Sequence, residues 1–345
     1  MKKLLKHLSP FAPDDSGACS VLYELGGIVV ICDAGGCAGN VCGFDEPRWF
    51  EKRSALFSAG LRDMDAILGR DDRLVAKLAL ACQQADAEFT AIVGTPVPAV
   101  IATDYKALER MSEKRTGLPC ITIASDGTKL YDRGEEEAYL KLFKRFAVKG
   151  LAPKKGRIGM IGATPMDLGS AGAGWVREQF KKQGHSEVVT FGMDSGLDEI
   201  RRVGECDEIA VIAPAGIRAA EWLERELGIR HRVQGVLMDG TVKALESAGS
   251  FEKALIVHQQ FAANEMRKII GGKADCGTFF MLDERYAEAG DIRFRSEEDF
   301  REKVLAGGYD LVIGDEQLRR AVRGYTGRWI DVPHFAVSGR SGDSA

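Results

Sequence analysis

Short β-branched runs ending in glycine, proline or polar residues alternate along the whole chain with segments of helical periodicity. No apolar run approaches the length of a membrane span. Together these features predict an α/β protein of open, doubly wound parallel sheets. At 345 residues the chain exceeds one small core and suits two to three Rossmann-like domains. Shifts in composition divide it at 1–150, 151–250 and 251–345.

The first unit opens on a loop, 9–19, whose two prolines and Asp14-Asp15-Ser16 discourage regular structure and then offer a helix cap. A helix carrying Val21, Leu22 and Leu25 follows and stops at Gly26-Gly27. The run 28–31 is too short for a helix and reads as a buried strand. It empties into a loop holding Cys32, Cys37 and Cys42 among small residues. Beyond it come a strand or helix at 55–58, a helix at 71–86, a strand at 89–93, a helix at 102–116 and a strand at 121–124.

Glycine, proline and lysine at 149–156 read as a linker. The second unit has strands at 157–161, 188–191 and 208–213, with helices at 174–184 and from 216 through Leu227. The third has a strand at 254–257 leading into His258, a helix at 260–270 and a strand at 278–282. A helix at 297–306 and strands at 310–313 and 329–331 complete it. In such sheets ligands collect beyond the carboxyl ends of the strands. Cys32, Thr95, Ser125, Thr164, Pro214, Asp239, His258 and Asp315 are predicted at those ends.

A hydrophobic fraction of 45%, a charged fraction of 28% and a net charge of −4 describe a globular protein with no global attraction for nucleic acid. The basic N-terminus, 1–8, lacks an apolar signal-peptide core, so the expected location is the cytoplasm, with no membrane partner. Eight cysteines in a chain of this size do not form a secreted disulfide scaffold. The basic stretch from Lys141 to Lys155 reads as a solvated helix face and linker.

The cysteine loop is the one motif rich in chemistry. Gly35, Gly36 and Gly39 let backbone N–H groups approach an anion, and thiolates on such a loop suit an iron–sulfur cluster. Cys37, Cys32 and Cys42 are the candidate metal ligands, and Cys19 lies near a helix start that favours a thiolate. A lone buried cysteine is usually a small hydrophobe, and the spacing matches neither a zinc pair nor a ferredoxin run. The glycine-rich run 159–174 fits neither the P-loop nor the dinucleotide fingerprint, so no nucleotide is expected to bind this chain itself. His258 and His334 are the histidines beside strand ends; His258 is the candidate proton donor.

Gly17-Ala18, a helix, a strand and then Gly35-Gly36-Cys37 resemble the N-terminal signature of nitrogenase component 1-type proteins. There a Gly-Ala pair precedes a strand ending in a His-Gly-x-x-Gly-Cys loop whose cysteine binds the bridging cluster. Cys37 matches that cysteine, and Cys32 stands where the histidine usually is. Residues 94–104 are similar to the stretch around the third cluster cysteine, with Thr95 or Pro96 in its place. Pro13 or Asp14 stands near the first, and Asp14 is a candidate because some members use an aspartate. Residues 308–315, leading to Asp331-Val332-Pro333, resemble the family's late segment. No counterpart appears of the cysteine and histidine that hold the nitrogenase active-site cofactor. The chain's size is closer to the compact members that reduce tetrapyrroles.

The resemblance implies a nitrogenase component 1-like fold and a catalytic subunit of a nitrogenase-like reductase. Such a subunit forms a homodimer or heterodimer and works anaerobically with a [4Fe–4S]-type cluster at the subunit interface. It takes electrons from an ATP-dependent iron-protein reductase to reduce a small molecule or tetrapyrrole. Two other readings stay open: a metallocofactor or tetrapyrrole scaffold, and a cluster-free ligand-binding protein of the same fold.

Overall fold

The computed structural model describes residues 5–52, 54–169, 172–271 and 273–341. Within them every strand belongs to one of three wholly parallel sheets. The first contains β1 (Ile28–Ile31), β2 (Leu56–Ser58), β3 (Thr90–Val93) and β4 (Cys120–Ile123) in the order β2-β1-β3-β4. The second contains β5 (Lys154–Ile161), β6 (Glu187–Thr190), β7 (Cys206–Val211) and β8 (His231–Val233) in the order β6-β5-β7-β8. In the third, β9 (Ala254–Val257), β10 (Ala274–Thr278), β11 (Ile292–Arg293), β12 (Leu311–Gly314) and β13 (Arg328–Asp331) run β11-β10-β9-β12-β13.

Each sheet reverses its winding once, between β1 and β3, between β5 and β7, and between β9 and β12. The paired strands finish level: Ile31 lies opposite Val93, Ile161 opposite Val211 and Val257 opposite Gly314. Those are the crevices where α/β sheets bind ligands. Cys32, Thr95, Thr164, Pro214, His258 and Asp315 follow these strands directly. Asp239 does not lie at a strand end; it opens the helix Asp239–Glu246.

The helix Tyr131–Phe146 joins the units. Tyr139, Leu142 and Phe143 enter a core shared by the first and second sheets, while Tyr131 enters the core of the third. The helix Asp14–Leu22 crosses it at close quarters, because Gly17 and Gly134 have no side chain in the contact. A Cβ on Gly17 would lie 2.0 Å from the Tyr131 carbonyl oxygen, and one on Gly134 1.7 Å from that of Asp14. The charges expected on its outer face are paired: Lys141 with Glu137 and Arg145 with Glu113.

Several boundaries differ from expectation. The third-sheet strand is 274–278 rather than 278–282; Gly277 and Thr278 pair with β11, after which the chain turns through Phe279 and Phe280. β5 begins at Lys154, inside the expected linker. Residues 36–45, read as loop, form a short helix, Gly36–Asn40, running into a π-turn, Val41–Asp45. In the glycine-rich run, Gly162 and Gly169 adopt positive φ where the chain leaves β5 and the helix Pro165–Leu168. Ser170 and Ala171 of that run, like residues 1–4 of the N-terminus, lie outside the described residues. No helix among the described residues is long and apolar enough to cross a membrane.

Candidate functional site

The cysteine loop does not gather its thiols. Side chains alternate along a strand, so Ile28, Val30 and Cys32 face one side of the first sheet while Val29 and Ile31 face the other. Cys32 packs with Leu74, Val75 and Leu78, and burial pushes its thiol up to about 12. Cys19 is fully buried in the core on the opposite face, where burial, then Asp15 and Glu46, hold its thiol well above the usual range. Cys42 is half-buried near Glu46.

Cys37, also half-buried, begins the Gly36–Asn40 helix beside Thr95, Asp15 and Asp33. Burial and then these two carboxylates raise its thiol. Asp33 is fixed in turn, accepting the Ala38 N–H at 2.8 Å and the Ser58 hydroxyl at 2.6 Å. Asp14 is likewise engaged, accepting the N–H groups of Asp126 at 3.1 Å and Gly127 at 2.8 Å. Asp15 is buried nearby, and desolvation, then Asp14, pushes its carboxyl up to about 7.

An all-cysteine iron–sulfur site needs four converging thiolates. Among the described residues no three His, Cys, Asp or Glu side chains are grouped to hold a metal ion. The described residues of one chain therefore do not by themselves gather the ligands of such a site. The helical segments that follow β2, β1 and β3 expose Ile67, Phe44 and Val100, which are 74%, 75% and 85% accessible. Large exposed apolar side chains at the carboxyl ends of neighbouring strands are the kind that a second chain covers.

A second centre is buried where the second and third sheets meet. Thr164, beyond β5, starts the helix Pro165–Leu168, which carries Asp167. His258 follows β9, and His334 precedes the short helix Phe335–Ser338. The Tyr131 hydroxyl donates to Asp167 Oδ1 at 2.5 Å and lies 3.2 Å from His334 Nε2, which is itself 3.3 Å from Asp167 Oδ1. The His258 and His334 rings stack with centroids 4.1 Å apart. The Thr164 hydroxyl donates to Glu135 Oε1 at 2.5 Å.

Desolvation dominates the electrostatics here. It raises Asp167 to about 6 and Glu135 well above the usual carboxylate range, with Asp167 adding to the rise of Glu135. It lowers His258 to about 3, with His334 adding to the fall, and His334 to about 4. Both imidazoles are therefore neutral at physiological pH. Glu135 Oε2, Asp167 Oδ2, His258 Nδ1 and His334 Nδ1 are buried without a hydrogen-bond partner among the described residues.

A groove of about 570 Å³ is lined by the segment that follows Cys37 and by the segment that follows His334. Asn40, Phe44, Asp45 and Phe50 form one wall, and Gln317 with the helix Phe335–Ser338 forms the other. Its size and mixed lining suit an organic ligand. Ser338 ties the second wall to the sheet below, its hydroxyl donating to Asp315 Oδ2 at 2.5 Å.

Of the residues singled out from sequence, the structure brings His258 together with His334, and Cys37 together with Thr95; Thr164 is hydrogen-bonded to Glu135. The structure puts Cys32 on the opposite face of the first sheet from the core that holds Cys19 and against which Cys37 packs. Sequence reasoning missed Tyr131, Glu135 and Asp167. Asp167 carried the nearest signal, three residues beyond the strand-end Thr164.

Residues 16–275 match the family described as nitrogenase component 1 type oxidoreductase. No curated protein matches the sequence. Among solved structures, the chain resembles that titled "Nitrogenase Cp1 at pH 6.5", with a TM-score of 0.75 at 10% identity, covering 99% of this chain and 89% of that one. It also resembles "Nitrogenase Cp1 at pH 5", with a TM-score of 0.73 at 12% identity, covering 99% and 86%. The sequence match spans most of the chain and the three-sheet fold accords with it: the chain belongs to the nitrogenase component 1 type oxidoreductases.

Proposed function

We propose that this chain is the catalytic-component subunit of a nitrogenase-like reductase, which reduces a small organic molecule, a tetrapyrrole among the candidates, bound in the 570 Å³ groove. One observation carries the reading: a single groove touches both the helical turn that follows Cys37 and the segment that follows His334. Electrons would arrive on the first side, from an iron-protein-like ATPase docking as a separate subunit. Protons would be held on the second, by the cluster that includes His258.

In this reading Cys37 is the chain's own ligand to an iron–sulfur cluster completed by a second, identical or related chain. That chain would cover the exposed side chains of Phe44, Ile67 and Val100. Cys42 is the accessible reserve ligand, while Cys19 and Cys32 serve the core. Such a cluster would supply one-electron redox chemistry. Thr95, Asp15 and Asp33 are the side chains beside that thiol.

The test is iron and acid-labile sulfide per chain after anaerobic purification, with EPR of the dithionite-reduced protein. Wild type is expected to carry iron, Cys37→Ala to lose it and Cys19→Ala to keep it. Equal iron in wild type and Cys37→Ala refutes the ligand assignment. Thr95 in the place of the third cysteine favours a second reading, a cluster-free ligand-binding protein of this fold. Wild type that stays iron-free after reconstitution would select it.

A further inference from the structure

We propose that Tyr131, Glu135, Thr164, Asp167 and His334 form a proton-storing site in which Glu135 and Asp167 hold one proton between them. The geometry also says where that proton rests. Each carboxyl has one unpartnered oxygen, Asp167 Oδ2 and Glu135 Oε2, but Asp167 Oδ1 meets two polar groups, the Tyr131 hydroxyl and His334 Nε2 at 3.3 Å, whereas Glu135 Oε1 accepts only from Thr164. The charge is therefore better held on Asp167, and the proton sits on Glu135 Oε2.

Charge balance demands such a proton. The side chains of Glu135 and Asp167 are both buried, and among the described residues no lysine or arginine forms an ion pair with either. Two unpaired carboxylates in one dry site cost far more than one carboxylate and one acid. The surrounding groups do not relieve this. Asp132 on the same helix adds negative charge, although its own carboxylate accepts the Met281 N–H; Arg48 contributes only a weak attraction to Glu135. From the third sheet the neutral His258 and His334 face the pair, and Asp315 behind them is engaged by Ser338 and Arg340.

A core that needed only packing would be served as well by apolar residues of the same volume. Glu135 instead presents an acid whose free oxygen stabilises nothing in the resting fold. The helices Pro165–Leu168 and Phe335–Ser338 pack on each other and separate the site from the groove. The use of the proton rests on the reductase reading. On release the Glu135 O–H bond breaks, its electron pair stays on Oε2, and the proton passes to the ligand atom that has gained electrons from the one-electron donor. Solvent then reprotonates the carboxylate.

Infrared spectra of the whole protein at neutral pH, in H2O and D2O, test the store. Wild type is expected to show the carbonyl stretch of a protonated carboxylic acid, shifting down in D2O. Glu135→Gln should remove that band. Thr164→Val keeps the acid, deletes the hydrogen bond to Oε1 and should move the band to higher frequency. Absence of the band in wild type, a band that Glu135→Gln leaves at full intensity, or a Glu135 component that Thr164→Val does not move, overturns the proposal. The component lost in Glu135→Gln does not depend on iron, so wild type that has it but binds no iron overturns the reductase reading and leaves the store standing.

Discussion

The crossing of the helices Asp14–Leu22 and Tyr131–Phe146 makes a quantitative prediction. A Cβ at Gly134 would lie 1.7 Å from the Asp14 carbonyl oxygen, whereas real Cβ atoms essentially never come within 3.0 Å of another heavy atom. The obstacle is backbone, so no rotamer change relieves it, and the helices must separate by more than an ångström. Overpacking a tight core costs roughly 1–3 kcal/mol, occasionally more. The rigid neighbour puts Gly134→Ala at the upper end, offset by roughly 0.5–1 kcal/mol because alanine favours a helix interior. The expected net loss of about 2 kcal/mol is a large fraction of a typical total stability of about 5–15 kcal/mol. With a urea m-value near 3 kcal/mol/M, the midpoint should fall by about 0.7 M. Gly174, inside the helix Ala173–Lys182, is the control: nothing lies within 4 Å of its Cβ position, so Gly174→Ala should be neutral or stabilising. Gly134→Ala as stable as Gly174→Ala would refute the close crossing, and with it the placement of Tyr131 and Glu135.

Two further outcomes follow from the buried carboxylates. Asp14→Ala strands the N–H groups of Asp126 and Gly127, an expected loss of about 1–3 kcal/mol, seen as faster amide exchange in that loop; loss of iron without loss of stability would instead make Asp14 a metal ligand. Burial, with Asp167 adding, raises Glu135 above the ordinary glutamate value, so the folded state binds more protons than the unfolded one above that value. Wild-type stability should therefore decline as pH rises from about 4.3 towards the folded-state value, and Glu135→Gln should flatten that decline; parallel pH profiles for the two proteins would contradict a protonated Glu135.

The strands were legible because their physics is local. The four-residue runs of β1 and β9 are buried on both faces, as parallel strands between helices must be, and buried strands read as continuous apolar runs. Once they were placed, Thr164, His258 and Asp315 fell at strand ends without further information. The helix Tyr131–Phe146 was not legible beyond its basic outer face. Its buried side carries Asp132, Gly134, Glu135 and Glu136, so the apolar stripe that announces an amphipathic helix is interrupted by the residues that give the site its chemistry. A helix that buries acids for a purpose hides itself from periodicity.

The three cysteines illustrate the opposite case, a motif that is contiguous in sequence and divided between the two faces of a sheet. Cys32 ends a strand, and the alternation of side chains commits it to the face opposite Ile31. Cys37 stands on the helix Gly36–Asn40 and packs against the core on the Ile31 side of the sheet, away from Cys32, while Cys42 lies in the π-turn that follows. Proximity in sequence here does not set proximity in space. The residues that do converge, Tyr131, Asp167, His258 and His334, span two hundred positions and share only a location at the carboxyl side of parallel sheets. For this fold, which strand or helix a residue terminates therefore says more about its function than which residues lie beside it in the chain.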